Sequence, residues 1–394
     1  MTIVYLDNNA TTRVDPAVLE TMLPYLDEWY GNPSSMHSFG GEVGRKIATA
    51  REQTAQLLGA DPEEIIFTGC GTESDSTAIW SALRSEPDKK HIVTSRVEHP
   101  AVKNLFEHLG KNGYRVTFVP VDGQGRLDLD FLSASLRDDT ALVSLMWANN
   151  ETGVIFPLPE IVERVKEKGI LLHSDAVQAA GKIPLNMARD RVDMLSISGH
   201  KLHAPKGVGA LYVRKGSKFS PFLIGGHQEG GRRGGTENTA SIIGFGKACE
   251  MAASRLQSQD QDVVAWLRDR LEQGLTASVP RILINGDTEN RLPNTSSISF
   301  EYIEGESILL MLDKHGICAS SGSACTSGSL EPSHVLRAMG IPYTAAHGSI
   351  RFSLSHLSTR EEIDFVLEKV PPVIERLRTM SPFWAEHASS CQTA

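Results

Sequence analysis

The 394-residue sequence lacks any long apolar run, any dense cluster of lysine and arginine, and any closely spaced pair of cysteines. A helix that crosses a bilayer needs about 20 apolar residues, so the first absence predicts no membrane-spanning segment. The second absence, with a net charge of −9, predicts no binding to nucleic acid or to an anionic membrane surface. The N-terminal residues have neither a basic start nor an apolar stretch, which predicts no signal peptide and a cytoplasmic location.

The five cysteines are odd in number and widely spaced, which argues against a disulfide framework, and the absence of any CxxC pair argues against a zinc site. Cys325 is flanked by serine, glycine, alanine and threonine, none of which can bury its sulfur. Packing cysteines normally have apolar neighbours, so Cys325 is predicted to be exposed and reactive. Cys249 and Cys318 are interpreted as packing residues and Cys391 as a tail residue, while Cys70 adjoins a glycine loop and could be either.

Short apolar strands alternate with helices of 8 to 15 residues from Glu64 onward, which predicts an α/β fold with a mostly parallel, helix-covered sheet. Near Ser241 the pattern changes to longer helices and fewer strands, as is typical of a smaller α+β domain. The predicted large domain therefore covers residues 15–250. Residues 1–14 and 251–394 form the predicted small domain, which carries Cys325.

The stretch Asp193–Val213 holds two short apolar runs of strand character, with Ser198, Gly199, His200 and Lys201 between them. Burial at the ends of strands favours the uncharged, reactive form of an amine. Such an amine forms a Schiff base with carbonyl compounds, of which pyridoxal phosphate is the commonest biological example. The alternative interpretation is an ordinary lysine in a surface loop.

Two further segments follow predicted strands. Gly69–Thr72 lies between a strand and a helix, where backbone N–H groups and the helix dipole favour an anion, although it could be only a tight turn. Asp175 and Gln178 follow another strand, and a carboxylate there could pair with a protonated ring nitrogen. The alternative for these two is a helix-capping aspartate and a surface glutamine. A phosphate site, a ring-nitrogen partner and an amine, in that order, match the aminotransferase-like pyridoxal phosphate enzymes.

Longer motifs sharpen this match. The sequence contains LDNNATT, YGNPSS, FTGCGTESDS, EHPAV, NNETG, HSDAVQ, SGHKLHAPKG, GRRGGTEN, SSGSACTSGSLEPSHV and SIRFSL. Together they resemble the cysteine desulfurase family from about residue 3 to residue 383. WANNETG, EYIEGE and the residues after Gly328 are most similar to its nitrogen-fixation branch, the NifS branch. The resemblance implies a fold-type I pyridoxal phosphate enzyme.

The resemblance also implies a role for each matching residue. Lys201 would hold pyridoxal phosphate and move protons, His99 would stack on its ring as an acid–base group, and Cys325 would take sulfur from L-cysteine as a persulfide. Asn150 and Arg351 would bind the substrate carboxylate. The implied cofactor-binding residues are Gly71, Thr72, Asn150, Asp175, Gln178, Ser198, His200, Lys201 and Thr236 of the partner subunit.

The implied reaction converts L-cysteine into L-alanine and a protein persulfide that supplies iron–sulfur cluster assembly, with nitrogenase as the expected destination. The implied assembly is a homodimer that passes sulfur to an iron–sulfur scaffold protein. No resident metal is expected, although Cys325 could contact an iron–sulfur cluster during delivery. Two alternatives are a selenocysteine lyase and a sulfur-relay protein without turnover; the second would require Lys201 or Cys325 to be missing, and both are present.

Cys325→Ala tests the assigned thiol. We expect this variant to bind pyridoxal phosphate normally, because Lys201 is intact, but to release no sulfide from L-cysteine, because no thiol receives the sulfur. Absorption spectroscopy and a sulfide assay on the same sample measure both properties. Sulfide release at the rate of the unaltered protein would contradict the role of Cys325.

Overall fold

The computed structural model describes residues 3–321 and 331–384, and the fold is built from the following elements within them. The α-helices are α1 (Pro16–Met22), α2 (Ser38–Leu58), α3 (Gly71–Ser85), α4 (Pro100–Lys111), α5 (Leu129–Ser135), α6 (Leu158–Glu167), α7 (Met187–Asp190), α8 (Thr239–Leu256), α9 (Asp260–Ser278), α10 (Gly305–Asp313), α11 (His334–Ala338), α12 (Tyr343–Ala346) and α13 (Arg360–Met380). The β-strands are β1 (Val4–Tyr5), β2 (Ile65–Thr68), β3 (His91–Ser95), β4 (Arg115–Val119), β5 (Thr140–Ser144), β6 (Leu171–Asp175), β7 (Met194–Ser198), β8 (Gly209–Val213), β9 (Ile282–Ile284), β10 (Thr295–Phe300), β11 (Ile317–Cys318) and β12 (Ser349–Ser353).

The main sheet has seven strands in the order β2-β8-β7-β6-β5-β3-β4. Its pairs are parallel except those of β8, which runs antiparallel to both β7 and β2. Gly209, the first residue of β8, pairs with Thr68 on one side and with Ser198 on the other. The predicted α/β class and mostly parallel sheet are therefore confirmed, and β8 is the one reversed strand among the seven.

Both faces of the main sheet are covered, because alternate residues of each strand enter different apolar clusters. In β2, for example, Ile65 and Phe67 pack into the cluster that includes α2 and α8, whereas Ile66 packs with α3 and α4. Strands buried on both faces read as continuous apolar runs rather than as alternating ones. For this reason the sequence predicts where the strands lie but not which side chains point to which face of the sheet.

The second sheet is antiparallel, with the order β12-β10-β9, and β1 pairs in parallel with β11. A separate apolar cluster joins these strands to α9, α10 and α13, and it includes Val4 and Leu6 from the N-terminal segment. The division into domains at residues 14/15 and 250/251 stays a prediction; the second boundary falls inside the continuous helix α8 (Thr239–Leu256).

Among the described residues, no helix is long and apolar enough to cross a membrane.

Helices α2 and α8 cross so closely that a side chain does not fit between them. A Cβ atom on Gly246 would lie 2.4 Å from the Ala50 Cα atom, which is backbone and cannot move aside. We expect Gly246→Ala to lower the free energy of unfolding by about 1–3 kcal/mol, the usual cost of overpacking a core. Thermal or urea unfolding of the protein measures this loss.

Gly41→Ala is the matched control, because Gly41 lies in α2 and its Cβ would meet no atom within 4 Å. Alanine is a better helix former than glycine, so this variant should be as stable as the unaltered protein or slightly more so. Equal stability of the two alanine variants would contradict the close crossing of α2 and α8.

Candidate active site

Five strands of the main sheet deliver side chains to the same edge. The segments that follow β2, β3, β5, β6 and β7 begin at their carboxyl ends, which parallel strands place together. They meet the N-terminal segment and β12 around a cavity of about 340 Å³, within the usual size range of small-ligand sites. The residues that line it are Asn9, Ala10, Cys70, Gly71, Thr72, Asp75, His99, Met146, Ala148, Asn150, Asp175, Val177, Gln178, Ser198, His200, Lys201, Ser321 and Arg351.

Lys201 ends a single 3-10 turn, Gly199–Lys201, that directly follows β7. Its Nζ donates to the backbone oxygens of Asn9, at 2.6 Å, and Ala10, at 2.7 Å. The alternative of a surface loop lysine is therefore wrong, because the side chain reaches across to the N-terminal segment inside the cavity. An amine held by two carbonyl oxygens at a cavity wall is well placed to receive an aldehyde.

The glycine loop begins α3, whose first residue is Gly71, so its backbone N–H groups are oriented along the helix axis. The nearby Ser198 hydroxyl is buried and has no hydrogen-bond partner among residues 3–321 and 331–384. A Cβ on Gly71 would lie 3.0 Å from Val177 and 3.3 Å from Ser198, so a larger residue would crowd this corner. A buried orphan hydroxyl beside a helix N-terminus fits a phosphate group.

His200, the fourth residue expected at this corner besides Gly71, Thr72 and Ser198, lies next to the Thr11 hydroxyl, with 3.2 Å between Nδ1 and Oγ1. Burial, helped by the positive charge of Lys201, lowers the pKa of His200 to about 4. The ring is therefore neutral at pH 7, and it acts at this corner as a hydrogen-bonding group rather than as a cation.

Asp175 ends β6 and is buried. Its Oδ1 accepts from the Val177 N–H at 2.9 Å. Burial raises the pKa of Asp175 to about 6, while the Val177 N–H and the charge of Lys201 oppose the rise. A cation such as a protonated ring nitrogen would stabilise the carboxylate in this water-poor place.

A second buried carboxyl, Asp75, lies behind Asp175. Burial and the neighbouring Asp175 hold the pKa of Asp75 well above its usual range. Its Oδ1 is 3.6 Å from Nε2 of His173, whose ring nitrogens also lie within hydrogen-bond distance of the Ser144 and Ser196 hydroxyls. Burial lowers the pKa of His173 to about 3, so this ring is uncharged at neutral pH.

His99 precedes α4, and its Nδ1 accepts from the Ala101 N–H at 3.2 Å. Burial lowers the pKa of His99 to about 4, and the positive charges of Lys201 and Arg351 add to this effect. The ring is therefore neutral at pH 7, with its proton on Nε2. A neutral, apolar-faced imidazole at the cavity wall suits stacking on a planar ring.

Arg351 lies in β12, where its Nη1 donates to the backbone oxygen of Asn150 at 3.0 Å and its Nη2 to Asp7 Oδ1 at 2.9 Å. Its Nε is buried and has no hydrogen-bond partner among the described residues. Each of the two terminal nitrogens still has one N–H group left. The guanidinium is thus held rigidly by Asn150 and Asp7, with donors remaining for a carboxylate.

One predicted residue, Thr236, is not brought to the cavity by its own chain. Thr236 lines a different cleft, together with Gly69, Glu229 and Arg233, so its own chain does not bring it beside Lys201. Cys325 lies outside the described residues, as does Cys391. Cys249 is buried, which agrees with its interpretation as a packing residue, and Cys318 is half-buried.

The sequence interpretation missed Asn9, Asp75 and Lys182. Asn9 belongs to the LDNNATT motif, but its local pattern of polar residues is typical of a turn. Asp75 lies one helical turn after Thr72, a spacing that puts both on one side of α3. Lys182 follows Gln178 by four residues and donates to its Oε1 at 2.7 Å.

Comparison with known proteins identifies the family. A model of the class-V aminotransferases matches residues 4–366. Over 392 residues the chain is 60% identical to a cysteine desulfurase of Trichormus azollae, a match that covers 100% of this chain and 98% of that protein. The chain belongs to the cysteine desulfurase family.

Two further relatives of the chain support its assignment to this family. The cysteine desulfurase NifS of Azotobacter vinelandii is 58% identical over 383 residues, which cover 97% of this chain and 95% of that protein. The solved structure of a NifS-like protein superposes with a TM-score of 0.89 and 41% identity, covering 95% of this chain and all of that one. The predicted family, fold class and dependence on pyridoxal phosphate are confirmed.

The buried carboxyl of Glu98 gives a test of the site's electrostatics. Burial raises the pKa of Glu98 to about 8, although the Ser95 hydroxyl, at 2.6 Å, and the Met146 N–H, at 3.1 Å, both donate to its Oε1. Between pH 4.5 and 8 the folded protein keeps this proton and the unfolded chain has lost it. This contribution to stability therefore declines as the pH rises through that window.

We expect Glu98→Gln, which cannot ionise, to gain stability relative to the unaltered desulfurase between pH 5.5 and pH 8. The gain should reach at most about 1.4 kcal/mol per pH unit. Urea unfolding of the cofactor-free protein at both pH values measures it, with the exposed Glu361→Gln as control. A difference between Glu98→Gln and the unaltered protein that does not change with pH would show that Glu98 is ionised in the folded state.

Proposed function

We propose that this protein is a pyridoxal phosphate-dependent cysteine desulfurase that converts L-cysteine into L-alanine and a persulfide on Cys325. One observation carries the proposal: a single cavity gathers Lys201, Asp175, His99 and Arg351 beside the N-terminus of α3. These are the residue types needed for an aldehyde cofactor with an anionic group and for a substrate with a carboxylate. Membership in the cysteine desulfurase family supports the choice of substrate.

The cavity fits the cofactor on three independent points. Lys201 supplies the amine. The anion site consists of the unpaired Ser198 hydroxyl together with Gly71, Thr72 and His200. The buried Asp175 supplies the partner for a ring nitrogen. Gln178 would donate to the ring hydroxyl and His99 would stack on the ring. When bound, pyridoxal phosphate provides an electron sink that makes the substrate Cα–H acidic.

Binding of the substrate depends on Arg351 in this proposal. The guanidinium, fixed by Asn150 and Asp7, presents its remaining N–H groups to the L-cysteine carboxylate, and the Asn150 side chain, which lines the same cavity, adds a neutral donor. Charge-assisted bonds of this kind are roughly twice as strong as neutral ones. They fix the position of the substrate Cα relative to Lys201.

Two groups move protons in this proposal, the neutral ring of His99 and the amine of Lys201. Nε2 of His99 holds the proton of a neutral ring, and its low pKa, about 4, means that any proton it accepts is quickly returned. The Lys201 amine, which lies against the Asn9 and Ala10 carbonyl oxygens, is the second group that can take a proton from the substrate. Two bases at one cavity suffice for removal of one proton and delivery of another.

The sulfur transfer balances without an external oxidant or reductant. The Cys325 thiolate attacks the substrate sulfur, an S–S bond forms, and the bond between that sulfur and the substrate Cβ breaks. The electron pair stays with Cβ, which takes a proton and becomes the methyl group of L-alanine. Sulfur is oxidised and carbon is reduced, so L-cysteine plus the Cys325 thiol equals L-alanine plus the Cys325 persulfide.

The proposed assembly is a homodimer. Thr236 lines a cleft separate from its own cavity, which supports a role at the phosphate corner of the partner subunit. Exposed apolar side chains cluster in the segment after α1, and they include Leu23, Leu26, Tyr30 and Met36. Large apolar side chains that are exposed close together in the sequence support an interface at this segment.

The proposed destination of the sulfur is an iron–sulfur scaffold protein in nitrogenase maturation, inside the cytoplasm. The 58% identity to NifS of Azotobacter vinelandii supports this branch.

Incubation of the purified protein with L-cysteine tests the proposal. We expect an absorption band of lysine-bound cofactor, which Lys201→Ala abolishes, and equal amounts of alanine and of sulfide released under a reductant. Selenocysteine at equal concentration is the competing substrate, and a strong preference for it would favour the lyase instead. A band without alanine would refute the desulfurase.

Arg351→Lys tests the carboxylate site. Lysine keeps the charge but loses the planar fork, so we expect KM for L-cysteine to rise roughly tenfold or more with a smaller change in kcat. Steady-state kinetics measure both constants. Arg115→Lys is the control. Arg115 lies in the outer strand β4 and forms an exposed ion pair with Asp139, so this variant should leave KM unchanged. A fall in kcat alone would place the role of Arg351 after substrate binding.

A further inference from the structure

Lys182 is a second lysine close to the cavity that none of the proposed steps uses. Its Nζ donates to Gln178 Oε1 at 2.7 Å and to Asn9 Oδ1 at 3.1 Å. Its side chain lines a small pocket next to His203 and His356, not the cavity that contains Asp175 and His99. Lys182 therefore lies behind Gln178 and Asn9, and it contacts the cofactor site only through these two residues.

The contacts of Gln178 determine which end of its amide faces where. Its Nε2 donates to the backbone oxygen of Asn9 at 3.0 Å, and a carbonyl oxygen can only accept. Its Oε1 is engaged by Lys182, which has N–H groups to donate in either protonation state. Because the Gln178 oxygen already accepts a hydrogen bond, the group of its amide that can bond to a molecule in the cavity is the second N–H of Nε2.

Asn9 keeps its own place without help from Lys182. Its Nδ2 donates to Thr295 Oγ1 at 2.8 Å and to the Asn150 backbone oxygen at 3.2 Å, and its Oδ1 also accepts from Asn294. Asn9 is thus an anchor for Lys182. Removal of Lys182 would leave the Asn9 side chain with these three bonds and the Gln178 side chain with one.

We propose that Lys182 is a positioning residue that holds the Gln178 amide with its N–H group toward the oxygen of the bound cofactor. This inference rests on the proposed function, because it assigns the group that Gln178 faces. In this proposal Lys182 belongs to the cofactor site although it contacts neither the cofactor nor the substrate. Loss of a hydrogen-bond partner one layer behind a ligand commonly costs about tenfold or more in affinity, as at metal sites.

The test measures binding of pyridoxal phosphate to the full-length, cofactor-free protein and the absorption maximum of the complex. We expect Lys182→Met to weaken binding roughly tenfold and to shift the maximum in the same direction as Gln178→Ala. Lys166→Met is the matched control, because Lys166 is also a half-buried lysine. It pairs with Asp193, which precedes β7 at the edge of the sheet opposite the cavity. The control variant should leave both values unchanged.

The double variant Lys182→Met/Gln178→Ala decides whether the two residues act together. If Lys182 acts through Gln178, the double variant binds the cofactor within about twofold of Gln178→Ala alone, because coupled residues are not additive. Losses that multiply, or a Lys182→Met variant that binds normally, would overturn the proposal. If Lys182→Met does not fold, Lys182→Arg, which keeps a donor, should fold and retain the absorption maximum. Failure of both variants to fold would overturn the proposal and make the role of Lys182 purely structural. Absence of any band in the unaltered protein would instead refute the proposed function.

Discussion

The hydrogen bonds of Asn9 join the main sheet to the second sheet. Its backbone N–H donates to Ser353 Oγ of β12 and its side chain to Thr295 of β10, while its backbone oxygen accepts from Lys201 and Gln178. A residue with so many buried bonds has little freedom to move, because each broken bond would leave an unsatisfied polar group. The relative position of Lys201 and Arg351 therefore depends on one short segment at the start of the chain.

Around that segment the protein buries several ionisable groups. Because water is largely excluded, burial raises the pKa of carboxyls such as Glu98 and Asp75 and lowers the pKa of histidines such as His99 and His173, which favours their uncharged forms. The cost in folding stability is offset by the apolar clusters on both faces of the main sheet. The result is a site in which few charges remain, and those few, on Lys201 and Arg351, act strongly on a ligand.

The sequence predicted those parts of the site that follow strands directly. Lys201 and Asp175 were found because a buried strand ends just before them, and parallel strands place such residues at one edge. Asn9, Asp75 and Lys182 were missed because each reaches the site from an element whose local pattern indicates only a turn or a helix face. The direction of β8 was not predictable either, since an apolar run looks the same in either direction along a strand.

The reversed strand β8 also fixes the width of the site. It lies between β2 and β7, so two strand spacings, together about 9.6 Å, separate the glycine loop from the lysine turn. A Cβ atom on Gly209, at the start of β8, would lie 2.8 Å from the Ile197 oxygen and 2.9 Å from the Cys70 carbonyl carbon. The two loops can approach each other only because this position has no side chain. Gly209 thus lets the glycine loop and the lysine turn face the same cavity from either side of β8, although Gly209 itself is not among the residues that line it.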